Sequence, residues 1–130
     1  MATPTAEEQL LLEFINAARL DPLGDAARYI SGYGPTATSA DADINNALRF
    51  FGVSGPALQQ ALSALTPTDP LAWNDALSNA AIGHNNAMIA ADLQTHQAPG
   101  EPGFTARLTA AGYNFQTAGE NVFAFGDSVL

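Results

Sequence analysis

The stretch HQAPGEPGFTARLTAAGYNFQTAGEN, residues 96–121, decides how the rest of the chain is read. It opens on His96, just past a long helical pattern, and crosses the turn Pro99-Gly100-Glu101-Pro102-Gly103. Phe104 to Ala111 then has the spacing of a short helix, which Gly112 ends as a C′ residue in left-handed geometry. The stretch closes on Gly119-Glu120-Asn121 and leads into Val122-Phe123-Ala124-Phe125, the one convincing strand pattern in the chain. An imidazole and a carboxylate thus stand at element ends, in connecting segments of the kind that carry function. They share a cleft only if the loop, helix and turn between them fold back, which spacing alone does not require.

Working upstream, the residues before His96 predict a long helix from Asn74 to about Leu93. Leu77, Ala81, His84, Met88 and Ala91 recur at steps of three and four, a stripe that should face the interior. His84 lies on that stripe and reads as a satisfied core histidine rather than a ligand. Trp73, just before the helix, reads as a core anchor whose indole N–H needs an acceptor. Pro67 and Pro70 bracket the turn that delivers this helix.

At the N-terminus, Thr5-Ala6-Glu7-Glu8 has the form of a capping box. Leu10, Leu11, Phe14, Ile15 and Ala18 follow at helical spacing and predict a buried stripe. Asn16 and Arg19 fall on another side, either paired with loop backbone or simply solvated. Asp21-Pro22 starts a second helix through about Tyr29, and Gly32, Gly34 and Pro35 stop it. The small polar residues from Thr36 to Asp43 predict a surface loop.

Asp41-x-Asp43-x-Asn45 has the opening spacing of a calcium loop, but Asn46 stands where glycine is needed and Gly52 where a bidentate glutamate belongs. Asp41 is better read as the N-cap of a helix across Ile44 to Phe51. Pro56 to Leu65 predicts another short helix.

Five pieces in order then resemble a known family: Leu71-Ala72-Trp73-Asn74-x-x-Leu77, Ala80-Ala81-x-x-His84-x-x-x-Met88, His96, Phe104-x-x-Arg107-x-x-x-x-Gly112-Tyr113, and Gly119-Glu120-Asn121. Together they are similar to the bacterial branch of the CAP superfamily, which groups cysteine-rich secretory proteins, antigen 5 and pathogenesis-related 1 proteins. The resemblance is tight from about Pro70 to Asn121. It is looser from Thr5 to Arg19, and residues 32–69 carry none of it.

The resemblance implies an α+β fold, an α-β-α sandwich, here predominantly helical with about one strand visible. It further implies that residues 1–130 are a single CAP-like domain cut short at its C-terminal side. In the family a cleft holds two histidines and two acids that in several members bind a divalent metal, commonly zinc. His96 and Glu120 match the first histidine and first glutamate, whereas the second acid and histidine belong to a C-terminal half with no counterpart here. Trp73, His84, Arg107, Tyr113 and Asn121 match motif positions of a structural kind.

Composition bounds the partners. The net charge of −9 comes from 13 acids against four arginines and no lysine, so nucleic acid and anionic membrane surfaces are not expected as partners: both would meet repulsion. There is no cysteine, hence no disulfide and no thiolate site, unlike the disulfide-rich eukaryotic relatives. No segment is long and apolar enough to span a bilayer. The first twenty residues lack a basic leader and a cleavage site, so the extracellular location implied by the resemblance needs a signal that this sequence does not display.

Two ligands cannot hold zinc tightly; the simpler expectation is a His96 to Glu120 hydrogen bond tying loop to strand. Asp127-Ser128 after the strand pattern is similar to the first block of GDSL hydrolases, yet no base follows Ser128 to activate it. A lone His and Glu likewise lack a nucleophile or a filled metal site for catalysis. The expected function is therefore a secreted binding or interaction module, lipid- or sterol-binding or associated with the cell envelope. The alternative is a metal-assisted hydrolase whose remaining residues lie outside the chain. A helical shell without its strands would expose an apolar face and self-associate.

Overall fold

The computed structural model describes residues 3–123, which fall mostly into helices. Six helices are formed: α1 (Ala6–Leu20), α2 (Pro22–Tyr29), α3 (Ala42–Phe50), α4 (Gly55–Ser63), α5 (Asp75–Ala91) and α6 (Phe104–Ala110). The strands are β1 (Gly32–Tyr33) and β2 (Ala37–Thr38), an antiparallel pair with Gly32 opposite Thr38 and Tyr33 opposite Ala37. The fold is predominantly helical α+β. By its contacts the chain divides into two compact units, Leu10–Leu71 and the residues on either side of it.

Helix starts follow the sequence closely because short polar side chains satisfy the orphan amides there. Thr5 and Glu8 form the reciprocal capping box of α1, with the Thr5 amide 2.8 Å from the Glu8 carboxylate and the Glu8 amide 3.2 Å from the Thr5 hydroxyl. Asp21, Asp41, Ser54 and Asn74 cap α2, α3, α4 and α5 through their side-chain oxygens. At the other end, Gly112 takes φ +80° beyond α6, as a left-handed stop requires.

In the unit Leu10–Leu71, β1 and β2 pack against α3 and α4. Gly55 opens α4 under this hairpin, so close that a Cβ would fall 2.1 Å from the Gly34 carbonyl oxygen. Only a residue without a side chain fits there. The hairpin corrects the surface loop expected from Thr36 onward: Ala37 is fully buried, and its amide donates to the Val53 carbonyl. Two-residue strands are too short to show alternation.

The polar face of α1 is structural. Asn16 makes a two-way bond with the backbone of Leu71, donating to its carbonyl at 2.9 Å and accepting from its amide at 2.7 Å. Arg19 donates from Nε to the Asp69 carbonyl, and the Thr68 amide donates to the Arg19 carbonyl. These bonds fix the proline-bracketed segment before α5.

Three expectations need correction. The α1 stripe is not buried: Leu10, Leu11 and Ile15 are all exposed. Of the α5 stripe only His84 is buried, while Ala81 is exposed and Leu77, Met88 and Ala91 are half-buried. Periodicity reports where apolar groups point, not whether another layer covers them. Finally, the predicted strand is absent over residues 120–123, where the neighbouring segment is tied by side chains rather than by a backbone ladder. Ala124 and Phe125, with Asp127 and Ser128, lie outside the described residues.

Candidate functional site

The second unit gathers an ionic cluster from four places: His84 on α5, His96 and Glu101 in the connection after it, Arg107 on α6, and Glu120 in the following segment. His84 is 3% exposed. Its Nδ1 lies 2.9 and 2.8 Å from the two Glu101 oxygens, and its Nε2 lies 3.0 Å from the Thr95 carbonyl oxygen. Both partners are acceptors. With Glu101 ionised, the ring is fully satisfied only by donating from both nitrogens.

Arg107 is nearly as deep, and its position on the first turns of α6 aims it back across the loop. Its Nη1 donates to the carbonyls of His96 at 3.1 Å and Pro102 at 3.2 Å, and to Glu101 at 3.2 Å. Its Nη2 is paired with Glu120 Oε2. The other Glu120 oxygen accepts from His96 Nδ1 at 3.0 Å and stands 3.9 Å from His84 Nε2. One guanidinium therefore bridges two carboxylates, each of which also holds a histidine.

Desolvation works against ionising Glu101, but the Ala98 amide, His84 and the Arg107 charge outweigh it and hold its pKa below the ordinary glutamate range. Glu120 follows the same balance: burial raises its pKa, while bonds from His96 and Arg107 and the charges of Arg107 and His84 bring it below the usual value. Both are carboxylates at neutral pH. Among the described residues, no buried side-chain nitrogen or oxygen lacks a hydrogen-bond partner.

The two sequence-matched cleft residues thus meet, and their neighbours are the cluster. Trp73 stands apart, half-buried, its indole N–H 3.1 Å from Asp75 Oδ1. Tyr113 contributes backbone, its amide donating to the Leu108 carbonyl beyond Gly112. Asn121 is exposed. Glu101 was not singled out by the sequence reading, since a lone acid in a Pro-Gly turn shows no period. The signal that could have found it was His84 itself, because a buried imidazole needs an acceptor at each donating nitrogen.

Chemically, the cluster is turned inward except at His96, whose side chain is 65% exposed. A divalent metal does not fit the described residues: no three His, Cys, Asp or Glu side chains there could hold an ion. Both Glu120 oxygens are already engaged, and the Arg107 cation would repel a second one.

Next along both segments lies a cavity of about 440 Å³. Met88, Ile89, Leu93 and Phe123 supply its apolar lining, with Asn85, Asp92 and Gln94 as the polar part. That volume is within the range of small-molecule pockets. Asp92 shapes it by ending α5 in the left-handed region at φ 50°.

No curated protein and no solved structure matches the chain. The model of the CAP family, the cysteine-rich secretory protein family, matches residues 12–129, which takes in most of each unit and the whole ionic cluster. Despite having no cysteine of its own, the chain belongs to the CAP family.

Proposed function

We propose that this CAP-family chain is an extracellular binding module that takes the apolar part of a lipid or sterol into the cavity at the end of α5. The observation that carries this reading is the cavity's lining: four apolar side chains, Met88, Ile89, Leu93 and Phe123, together with the polar Asn85, Asp92 and Gln94. Such a mixed, mainly apolar lining suits an amphipathic ligand. The ionic cluster is then scaffold rather than catalyst, since its charges are spent on one another. An acidic chain also disfavours capture of anionic headgroups, so neutral or zwitterionic ligands are preferred.

Titration calorimetry with a sterol and with a neutral monoacylglycerol tests this. Saturable heat that disappears in Ile89→Asp supports the reading. No heat with either ligand would remove lipid binding from this cavity.

A further inference from the structure

Two side-chain bonds join the segments 93–96 and 120–123 in antiparallel order. His96 Nδ1 donates to Glu120 at 3.0 Å, and Gln94 Nε2 donates to the Val122 carbonyl at 3.2 Å. Stepping one residue further along each segment gives Leu93 and Phe123, and both line the apolar cavity. Arg107 locks the first rung from beneath, with Nη1 on the His96 carbonyl and Nη2 on the Glu120 carboxylate. The polar cluster and the apolar cavity are therefore two ends of the same pair of segments.

We propose that residues 93–96 and 120–123 form a two-rung clasp whose closure sets the mouth of the cavity, with Gln94 and the His96/Glu120 pair as positioning residues for the bound apolar chain. This rests on reading the cavity as the ligand site. Phe123 is 80% exposed, so it forms part of the rim rather than the floor. What keeps it there is the Val122 carbonyl, held by Gln94 one residue before it, and Glu120, held by His96 and Arg107 three before it. Without the rungs the rim residue has no fixed position, and a bound chain leaves more easily. Neither rung contributes a large buried surface of its own, because Gln94 and His96 are both exposed. Their loss should change ligand residence without unfolding the unit.

The test uses the whole chain and the neutral fluorescent probe N-phenyl-1-naphthylamine. Gln94→Met keeps the bulk and removes the donor, Gln94→Lys keeps a donor, His96→Ala removes the other rung, and Ile89→Asp spoils the apolar lining. Gln94→Met and His96→Ala should each raise the probe's Kd and dissociation rate roughly fivefold, the scale of one lost hydrogen bond. Their melting curves should shift by no more than about 5 °C, the scale of one exposed hydrogen bond, and Gln94→Lys should restore slow release. If Ile89→Asp abolishes binding while both rung variants release the probe at the wild-type rate, the clasp is wrong and the cavity reading stands. If the wild-type chain does not bind the probe, or Ile89→Asp binds it unchanged, the cavity reading fails and the clasp goes with it.

Discussion

Replacing Arg107 by alanine should be the most damaging single change in the ionic cluster. Its side chain is 7% exposed and faces Glu101 at 8% and Glu120 at 16%. Removing the guanidinium leaves two desolvated carboxylates short of their common counter-charge and three donor contacts unfilled at Glu101 and the His96 and Pro102 carbonyls. Breaking one partner out of a buried ion pair costs about 3–5 kcal/mol. Taken against a total of about 5–15 kcal/mol for a domain, this is a large fraction. A fall in Tm on the order of 10 °C follows, read by circular dichroism. Arg107→Lys should fall between, since an ammonium keeps the charge but cannot fork across both carboxylates.

The pH dependence sharpens the same point. Glu101 and Glu120 have folded pKa values below their ordinary one, so their ionisation stabilises the fold fully above the unfolded value near 4.5. That contribution is lost as pH falls through the lower folded values. The wild type should hold its Tm from neutral pH to about 5 and lose it below. In Arg107→Ala this acid loss should flatten or reverse, because protonation then relieves two carboxylates that have lost their common counter-charge. An Arg107→Ala Tm within about 2 °C of wild type, with the acid limb unchanged, would refute the assignment of Arg107 as the bridging charge.

Further outcomes follow from single contacts. Gly55→Ala places a Cβ 2.1 Å from the Gly34 carbonyl and 2.5 Å from the Tyr33 carbonyl carbon; the backbone must shift, at about 1–3 kcal/mol, measurable by urea unfolding. Asn16→Ala removes both bonds to the Leu71 backbone and should cost about 1–3 kcal/mol, with hydrogen exchange at the Leu71 amide accelerated. Zinc at about a hundred times the Kd of a real site would add about 2.7 kcal/mol of stability; because Glu120 is already held by Arg107 and His96, no shift in Tm is expected.

Local rules carried most of what the sequence foretold. Caps at Thr5, Asp21 and Asp41, and the stop at Gly112, are contacts over a few residues, so composition at those positions sufficed. The pairing of His96 with Glu120 came from family likeness, since nothing in their spacing demands it. Illegible features were of two kinds. The β1/β2 hairpin depends on Gly55 letting backbone approach backbone, and an absent side chain leaves no pattern. Glu101 depends on where a turn of prolines and glycines returns relative to α5, a fact of three dimensions only.

The failure of the apolar stripes to bury points to how this chain is held. Among the described residues the buried hydrophobics are Ala37, Ala98 and Leu108, two of them too small to contribute much. Ala98 is buried because its amide binds Glu101, and Leu108 follows Arg107 on α6. The apolar core of this unit is thus seated around the ionic cluster rather than the reverse. Large apolar side chains such as Ile89 and Leu93 remain at the surface, where a ligand or a partner gains by covering them. A substitution in the cluster should therefore reach the cavity through the segments they share, whereas a change in the cavity lining, resting on exposed side chains, should leave the cluster intact.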